Sequence, residues 1–170
     1  MLMAMGAVAQ EKDKGTAALV LSKPMPRGAF LMAKFAALGL TFLVSILLAA
    51  GAAYYYTLLL FEVLELSGWL ALNGLLLLFV LVYVALTLLC STLSKSQVVA
   101  GGLAFALVVI LSTLGAIPKI GEYLPAHLLT WGAWLVAGSR EASWMALWVS
   151  VGLIVAVLGT AWAIFNQQEL

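Results

Sequence analysis

The strongest constraint on this chain is where its charges are absent. Lys34 to Glu62 encloses 27 uncharged residues, Glu65 to Lys95 encloses 29, Lys95 to Lys119 encloses 23, and Glu141 to Glu169 encloses 27. A helix of about 20 apolar residues crosses a hydrocarbon core of about 30 Å, so each run is long enough to span a bilayer. Between Leu70 and Leu93 stand eleven leucines together with Phe79, Val80, Val82 and Val84. Each favours insertion by about 0.3–0.6 kcal/mol, and together they outweigh the polar Asn73 by several kcal/mol. Four membrane helices are therefore expected, over about 35–61, 69–93, 97–117 and 144–165.

Composition narrows the function classes in the same direction. The chain is 65% hydrophobic and 9% charged, whereas soluble domains are about 45–50% apolar and about 25% charged, so a water-soluble globule is excluded. Eight Lys+Arg against seven Asp+Glu leave a net charge of +1. That is no basic field of the kind that recruits nucleic acid, and no nucleic-acid partner is expected. Cys90 is the single cysteine, so neither an intrachain disulfide nor a cysteine metal site can be built.

Two apolar stretches are too short to cross. Tyr123 to Ser139 is broken by Pro125, His127, Gly132 and Gly138, which suits an outer re-entrant or interfacial hairpin better than a span. Met1 to Ala9 would reach only ~14 Å as a helix and reads as the inner end of a helix whose beginning lies elsewhere. Orientation follows from the basic residues. Lys12, Lys14, Lys23, Arg27, Lys34 and Lys95 lie on one side, against Lys119 and Arg140 on the other, which places both termini in the cytoplasm. Tyr54, Tyr55, Tyr56, Trp69, Tyr123, Trp131, Trp134 and Trp144 gather near the expected outer boundary, where amphipathic rings settle, and Trp162 and Phe165 mark the inner one. Small residues four apart, Gly102 with Ala106, Gly152 with Ala156 and Gly159 with Ala163, offer close helix contacts or reflect the ordinary richness of membrane helices in Gly and Ala.

Several chemistries are missing from the sequence. There is no G-x-x-x-x-G-K-[ST] phosphate loop, and neither H-E-x-x-H nor G-x-S-x-G occurs, so no catalytic or nucleotide site is expected. No ionisable Asp, Glu, Lys or Arg lies within the four spans, which disfavours ion-coupled transport. His127 is the lone histidine and without a second ligand is no metal site; neither metal nor cofactor is expected.

One segment stands out. After a polar turn at Gly15, a short apolar helix is expected from Thr16 to Leu21, stopped at Pro24. The run E-K-D-K-G-T-A-A-L-V-L-S-K-P-M-P-R-G-A-F-L-M-A-K resembles the cytoplasmic signature of ABC-2 type transporter permeases, roughly E-x-x-x-G-T-x-x-x-L-x-x-P-x-x-R-x-x-F-x-x-x-K. The likeness continues through Tyr54-Tyr55-Tyr56, the T-L-L-C-S-T-L-S-K-S-Q turn and the closing F-N-Q-Q-E-L, which is similar to the family's F-x-R-R-D-L ending with Gln167-Gln168 in place of the basic pair.

The resemblance implies an all-α membrane protein: four transmembrane helices, an outer hairpin and an N-terminal cytoplasmic coupling segment over 10–34. It implies a permease subunit of an ATP-driven exporter in the inner membrane. Its partners would be an ATP-binding cassette ATPase subunit, a second permease copy or homologue, and membrane lipid. Glu11, Gly15, Thr16, Pro24 and Arg27 fall on the signature, and Lys12, Leu19 and Leu21 join them as candidate ATPase-coupling residues. Tyr123, Pro125, His127, Trp131 and Trp134 fall on the hairpin. The family pattern begins with two helices of which this sequence carries only the end of one, so the chain is expected to be a fragment, a mis-started frame or a permease completed by another chain. A non-transporting assembly or regulatory subunit, or a permease remnant, is the alternative. The basic segment would then serve only to anchor the chain to anionic lipid, at about 1 kcal/mol per residue.

Overall fold

Hydrocarbon supplies no partner for backbone N–H and C=O groups, so an uninterrupted apolar run satisfies them internally by forming a helix. The computed structural model describes residues 27–60, 65–94, 96–117, 119–138 and 142–167. They form five α-helices and one 3-10 turn: α1 (Arg27–Leu60), α2 (Leu66–Leu93), α3 (Gln97–Gly115), the 3-10 turn Gly121–Tyr123, α4 (His127–Val136) and α5 (Trp144–Gln167). No strand occurs among the described residues. Four helices, α1, α2, α3 and α5, are long and apolar enough to cross a membrane. Residues Glu11 to Pro24 of the expected coupling segment lie outside the described residues.

Helix bounds differ from charge bounds in an instructive way. α1 starts at Arg27 and runs through Lys34, where the charge-free run begins only after it. Lys34 is a good helix former, and its ammonium sits 5.5 Å over the Phe30 ring, so a charge marks the edge of the apolar layer without ending the helix. With 34 residues, α1 is about 50 Å long and exceeds the hydrocarbon thickness.

Polar side chains inside the helices are satisfied by their own backbone. The hydroxyls of Thr41, Ser45, Thr87, Thr113 and Ser150 donate to carbonyls four residues earlier at 2.6–2.9 Å, and Asn73 Nδ2 donates to the Trp69 carbonyl at 2.9 Å. Such back-bonding removes the desolvation penalty that would otherwise oppose burying these groups in lipid.

α2 is the hub and packs against α1, α3, α4 and α5. Its second half forms one core cluster, in which Val84 and Leu88 meet Phe30 and Leu31 of α1 and Ala161 and Phe165 of α5. Phe30 and Phe165 stack at 5.9 Å. Its first half forms the other, where Leu75 meets Leu128 and Trp131 of α4 and Ala146 of α5. α2 and α5 thus run parallel, while α1 runs antiparallel to α2, as its Phe30–Leu88 and Tyr54–Trp69 pairings require.

Of the two readings of the spacing-four pairs, the described residues favour ordinary richness in Gly and Ala. A Cβ at Gly102, Gly152 or Gly159 would meet nothing within 4 Å, and Ala106, Ala156 and Ala163 are exposed. Among the described residues the spacing-four pairs therefore make no close helix contact, Gly159 instead lining an open groove beside Gly28 and Leu31 of α1. The close approaches use other glycines: a Cβ at Gly68 would lie 2.7 Å from the Leu135 carbonyl oxygen, and one at Gly132 would lie 3.2 Å from the Leu72 Cα. α2 and α4 cross through these two reciprocal gaps. Trp131 is 5% exposed and packs in the core, because the Gly132 gap draws α4 onto α2 and carries its neighbour inward.

Candidate functional site

The region between α3 and α5 concentrates the polar and aromatic side chains that are not used in spanning. α3 stops at Gly115; Ala116 N–H then donates to the Thr113 carbonyl at 3.2 Å, and Ile117 N–H to the Leu114 carbonyl at 3.1 Å. Lys119 takes φ 72°, a left-handed conformation uncommon for a residue with a Cβ. Gly121 N–H closes the loop onto the Ile117 carbonyl at 2.9 Å. Its lack of a side chain is obligatory, since a Cβ there would collide with the Gly115 carbonyl oxygen.

The 3-10 turn hands over directly to α4. Leu124 N–H donates to the Gly121 carbonyl at 3.1 Å, His127 N–H to the Leu124 carbonyl at 3.0 Å and Leu128 N–H to the Pro125 carbonyl at 3.1 Å, so the first amides of α4 are satisfied by tight i−3 bonds. At ten residues, α4 is about 15 Å long and too short to cross a membrane alone. It ends where Gly138, at φ 84°, donates to the Leu135 carbonyl at 3.2 Å, a left-handed terminator that glycine adopts without strain.

The five residues expected on the hairpin separate into three groups. Pro125 and Trp131 are buried, Tyr123 and Trp134 are exposed, and His127 is half-buried. The His127 ring meets Trp134 edge-on at 5.7 Å, and Trp131 meets Trp144 of α5 at 5.9 Å. Trp131 Nε1 is buried with no hydrogen-bond partner among the described residues. No group of three His, Cys, Asp or Glu that could hold a metal occurs among the described residues.

Glu11, Lys12, Gly15, Thr16, Leu19, Leu21 and Pro24 lie outside the described residues. Arg27 opens α1, next to Gly28, over which Trp162 of α5 lies so closely that a Cβ there would meet its Nε1 at 2.8 Å. The start of α1 is thereby clamped to the end of α5.

Two concavities escaped the sequence reading. One is a cleft of about 330 Å³ between α1, α2 and α3, walled by Phe42, Phe79, Val80, Tyr83, Val108 and Ser112. Tyr83 and Ser112 share a hydrogen bond across it. A tyrosine and a serine inside apolar runs carry no signal of their own until the helices are placed. The other, about 230 Å³, lies between the end of α3 and the start of α4, around Lys119, Glu122, His127 and Thr130. There the sequence does hold a signal, two opposite charges three residues apart in a chain almost without charge.

Comparison with known proteins agrees with this architecture. Residues 1–130 match the family described as ABC-2 family transporter protein, a stretch that takes in α1, α2, α3 and the start of α4. The chain is also similar to the uncharacterized transmembrane protein YxlG of Bacillus subtilis (strain 168), with 25% identity over 166 residues. That alignment covers 97% of this chain and 64% of the relative, so the chain spans about two thirds of the length of the protein it matches. With four helices of spanning length and a family match over most of its residues, the chain belongs to the ABC-2 family of transporter proteins and is a multi-pass, helical, permease-type membrane protein.

Proposed function

We propose that this chain is the permease subunit of an ATP-driven exporter, lining the membrane path for its substrate while a separate ATP-binding cassette subunit hydrolyses ATP. The observation that carries the reading is the family match over residues 1–130, which includes the segment from Glu11 to Arg27 as well as three of the spans. A chain with no phosphate-loop motif and no Asp, Glu, Lys or Arg in the interior of its spans has to receive work through contact with a soluble partner. Glu11, Lys12, Gly15, Thr16, Leu19, Leu21, Pro24 and Arg27 are proposed as that contact. Gly15 would permit a tight turn, Leu19 and Leu21 would fill an apolar groove, and the charges would set register at its rim. A second permease, identical or homologous, completes the path. The chain would sit in the inner membrane with both termini cytoplasmic.

The test is co-purification of an ATPase with the full chain, compared with a variant carrying Gly15→Val and Leu19→Asp. The expected result is loss of the ATPase or a tenfold or greater fall in coupled turnover, with insertion unchanged. Retention of both would make the segment a lipid anchor. Wild-type chain that recruits no ATPase would favour a non-transporting assembly subunit. Reporters fused after Leu170 and inserted near Glu65 should read inside and outside, respectively; the reverse would overturn the orientation.

A further inference from the structure

We propose that the concavity between the end of α3 and the start of α4 binds a small zwitterion bearing a phosphate and a primary ammonium, as the headgroup of an aminophospholipid does. This does not depend on the permease reading, since it concerns only the chemistry and depth of the pocket.

The walls supply both signs of charge. Lys119 and Glu122 are exposed at its rim, and among the described residues they form no ion pair with each other. Each is therefore available to a ligand of opposite sign. A pocket that offers one cation and one anion discriminates against ligands of a single net charge, because either would place a like charge against one wall. Thr130 and His127 add further hydrogen-bonding groups to the lining, and the His127 ring is held by its edge-on contact with Trp134.

The size fits a headgroup. At about 230 Å³ the concavity falls below the roughly 300–1,000 Å³ of sites for drug-sized molecules, yet it accommodates a phosphate joined to a two-carbon amine. The loop that carries Lys119 and Glu122 is fixed by its backbone. The loop closes on itself through Gly121 N–H and the Ile117 carbonyl at 2.9 Å, Gly121 cannot carry a Cβ against Gly115, and Lys119 is held at φ 72°. The depth also suits a lipid. α3 ends at Gly115, where the wall of the pocket begins, and Tyr123 and Trp134 beside it are 50% and 41% exposed, as rings at headgroup level are.

The experiment places the full-length chain in phosphatidylcholine nanodiscs doped equally with phosphatidylethanolamine and phosphatidylglycerol, and counts retained lipids by native mass spectrometry. The proposal expects the ethanolamine lipid to be retained at least tenfold over the glycerol lipid, about 1.4 kcal/mol. Lys119→Gly, which suits the left-handed backbone and so keeps the loop, and Glu122→Gln should each abolish that preference. Exchanging the charges with Lys119→Glu and Glu122→Lys together should restore at least part of it, which a merely structural role for either residue would not do. A parallel arm adds soluble phosphoethanolamine to discs of phosphatidylcholine alone. Binding there with the same dependence on Lys119 and Glu122 assigns the site to a solute, and binding only in the lipid arm assigns it to the membrane. Equal retention of the two lipids with no binding of phosphoethanolamine, or variants that behave as wild type, would overturn the proposal.

Discussion

α1 and α2 are nearly equal in apolarity, with mean hydropathies of 2.2 and 2.6 over their most apolar stretches, yet none of that stretch is buried in α1 and half of it is buried in α2. In water such a difference would leave α1 unstable. In a bilayer the outward side chains of α1, such as Leu40, Leu47 and Leu48, meet lipid that is as apolar as themselves, so hydropathy decides only whether a helix spans. What makes α2 the hub is shape. Gly68 admits the backbone of α4, and Ala85, Thr87 and Ser91 keep its buried face narrow. α1 is held mainly by its foot, through Phe30 and Leu31.

The comparison breaks most sharply at the glycines. Gly68→Val places a branched side chain against the Leu135 carbonyl, a backbone atom that cannot turn aside. The expected loss is about 3 kcal/mol or more of stability toward unfolding in sodium dodecyl sulfate mixed micelles. Gly51→Val on α1, where a Cβ meets nothing within 4 Å, should cost under about 1 kcal/mol, the scale of helix propensity. Similar losses at both positions would mean that shape does not separate the two helices.

Next in size is the core against the lipid face. Leu88→Ala removes a fully buried side chain from the cluster that holds the foot of α1 and should cost about 2–4 kcal/mol in the same assay. Leu48→Ala, at 71% exposure, should change stability by less than about 0.5 kcal/mol. A large effect at Leu48 would indicate that another chain covers α1.

Trp131 gives a more diagnostic contrast, between two variants of one position. Trp131→Ala should cost about 3–5 kcal/mol for its lost packing. Trp131→Phe also removes the buried Nε1 donor that lacks a partner among the described residues, and that removal offsets part of the packing loss. The net change should lie within about 1 kcal/mol of wild type by thermal unfolding in detergent. A loss as large as that of the alanine variant would show that Nε1 has a partner. A small effect is likewise expected for Gly152→Ala and Gly159→Ala, where an added Cβ meets nothing within 4 Å and the isolated chain should gain or lose less than about 1 kcal/mol. A marked loss confined to an assembled complex would locate a neighbouring chain on that face.

The spans were legible because charges are excluded from hydrocarbon, and that exclusion is written directly along the chain. The contacts were not. Spacing four places Gly152 and Ala156 on one face of a helix, but it does not say whether a helix or lipid lies opposite. The pairs that do touch, Gly68 with Leu135 and Gly132 with Leu72, are some 60 residues apart, so no local pattern announces them. The burial of Trp131 was not legible either, since it depended on Gly132 beside it. The Lys119–Glu122 pocket was half-legible: Lys119 was visible as a topology marker, but Glu122 was not singled out, and their joint use of one concavity follows from a left-handed turn at Lys119 that the residue type gives no reason to expect.

The hydroxyl groups of Thr41, Ser45, Thr87, Thr113 and Ser150 spend their donors on their own helices. In biosynthetic terms, these residues impose no order of assembly. A segment leaving the ribosome can enter the lipid phase with these groups already quenched, wait there, and find its neighbours later by lateral diffusion. The late step of maturation is then the seating of α4 on α2, the helix junction among the described residues where backbone must approach backbone. A chain arrested before residue 130 would be inserted yet unassembled, and open to the quality-control proteases of the membrane.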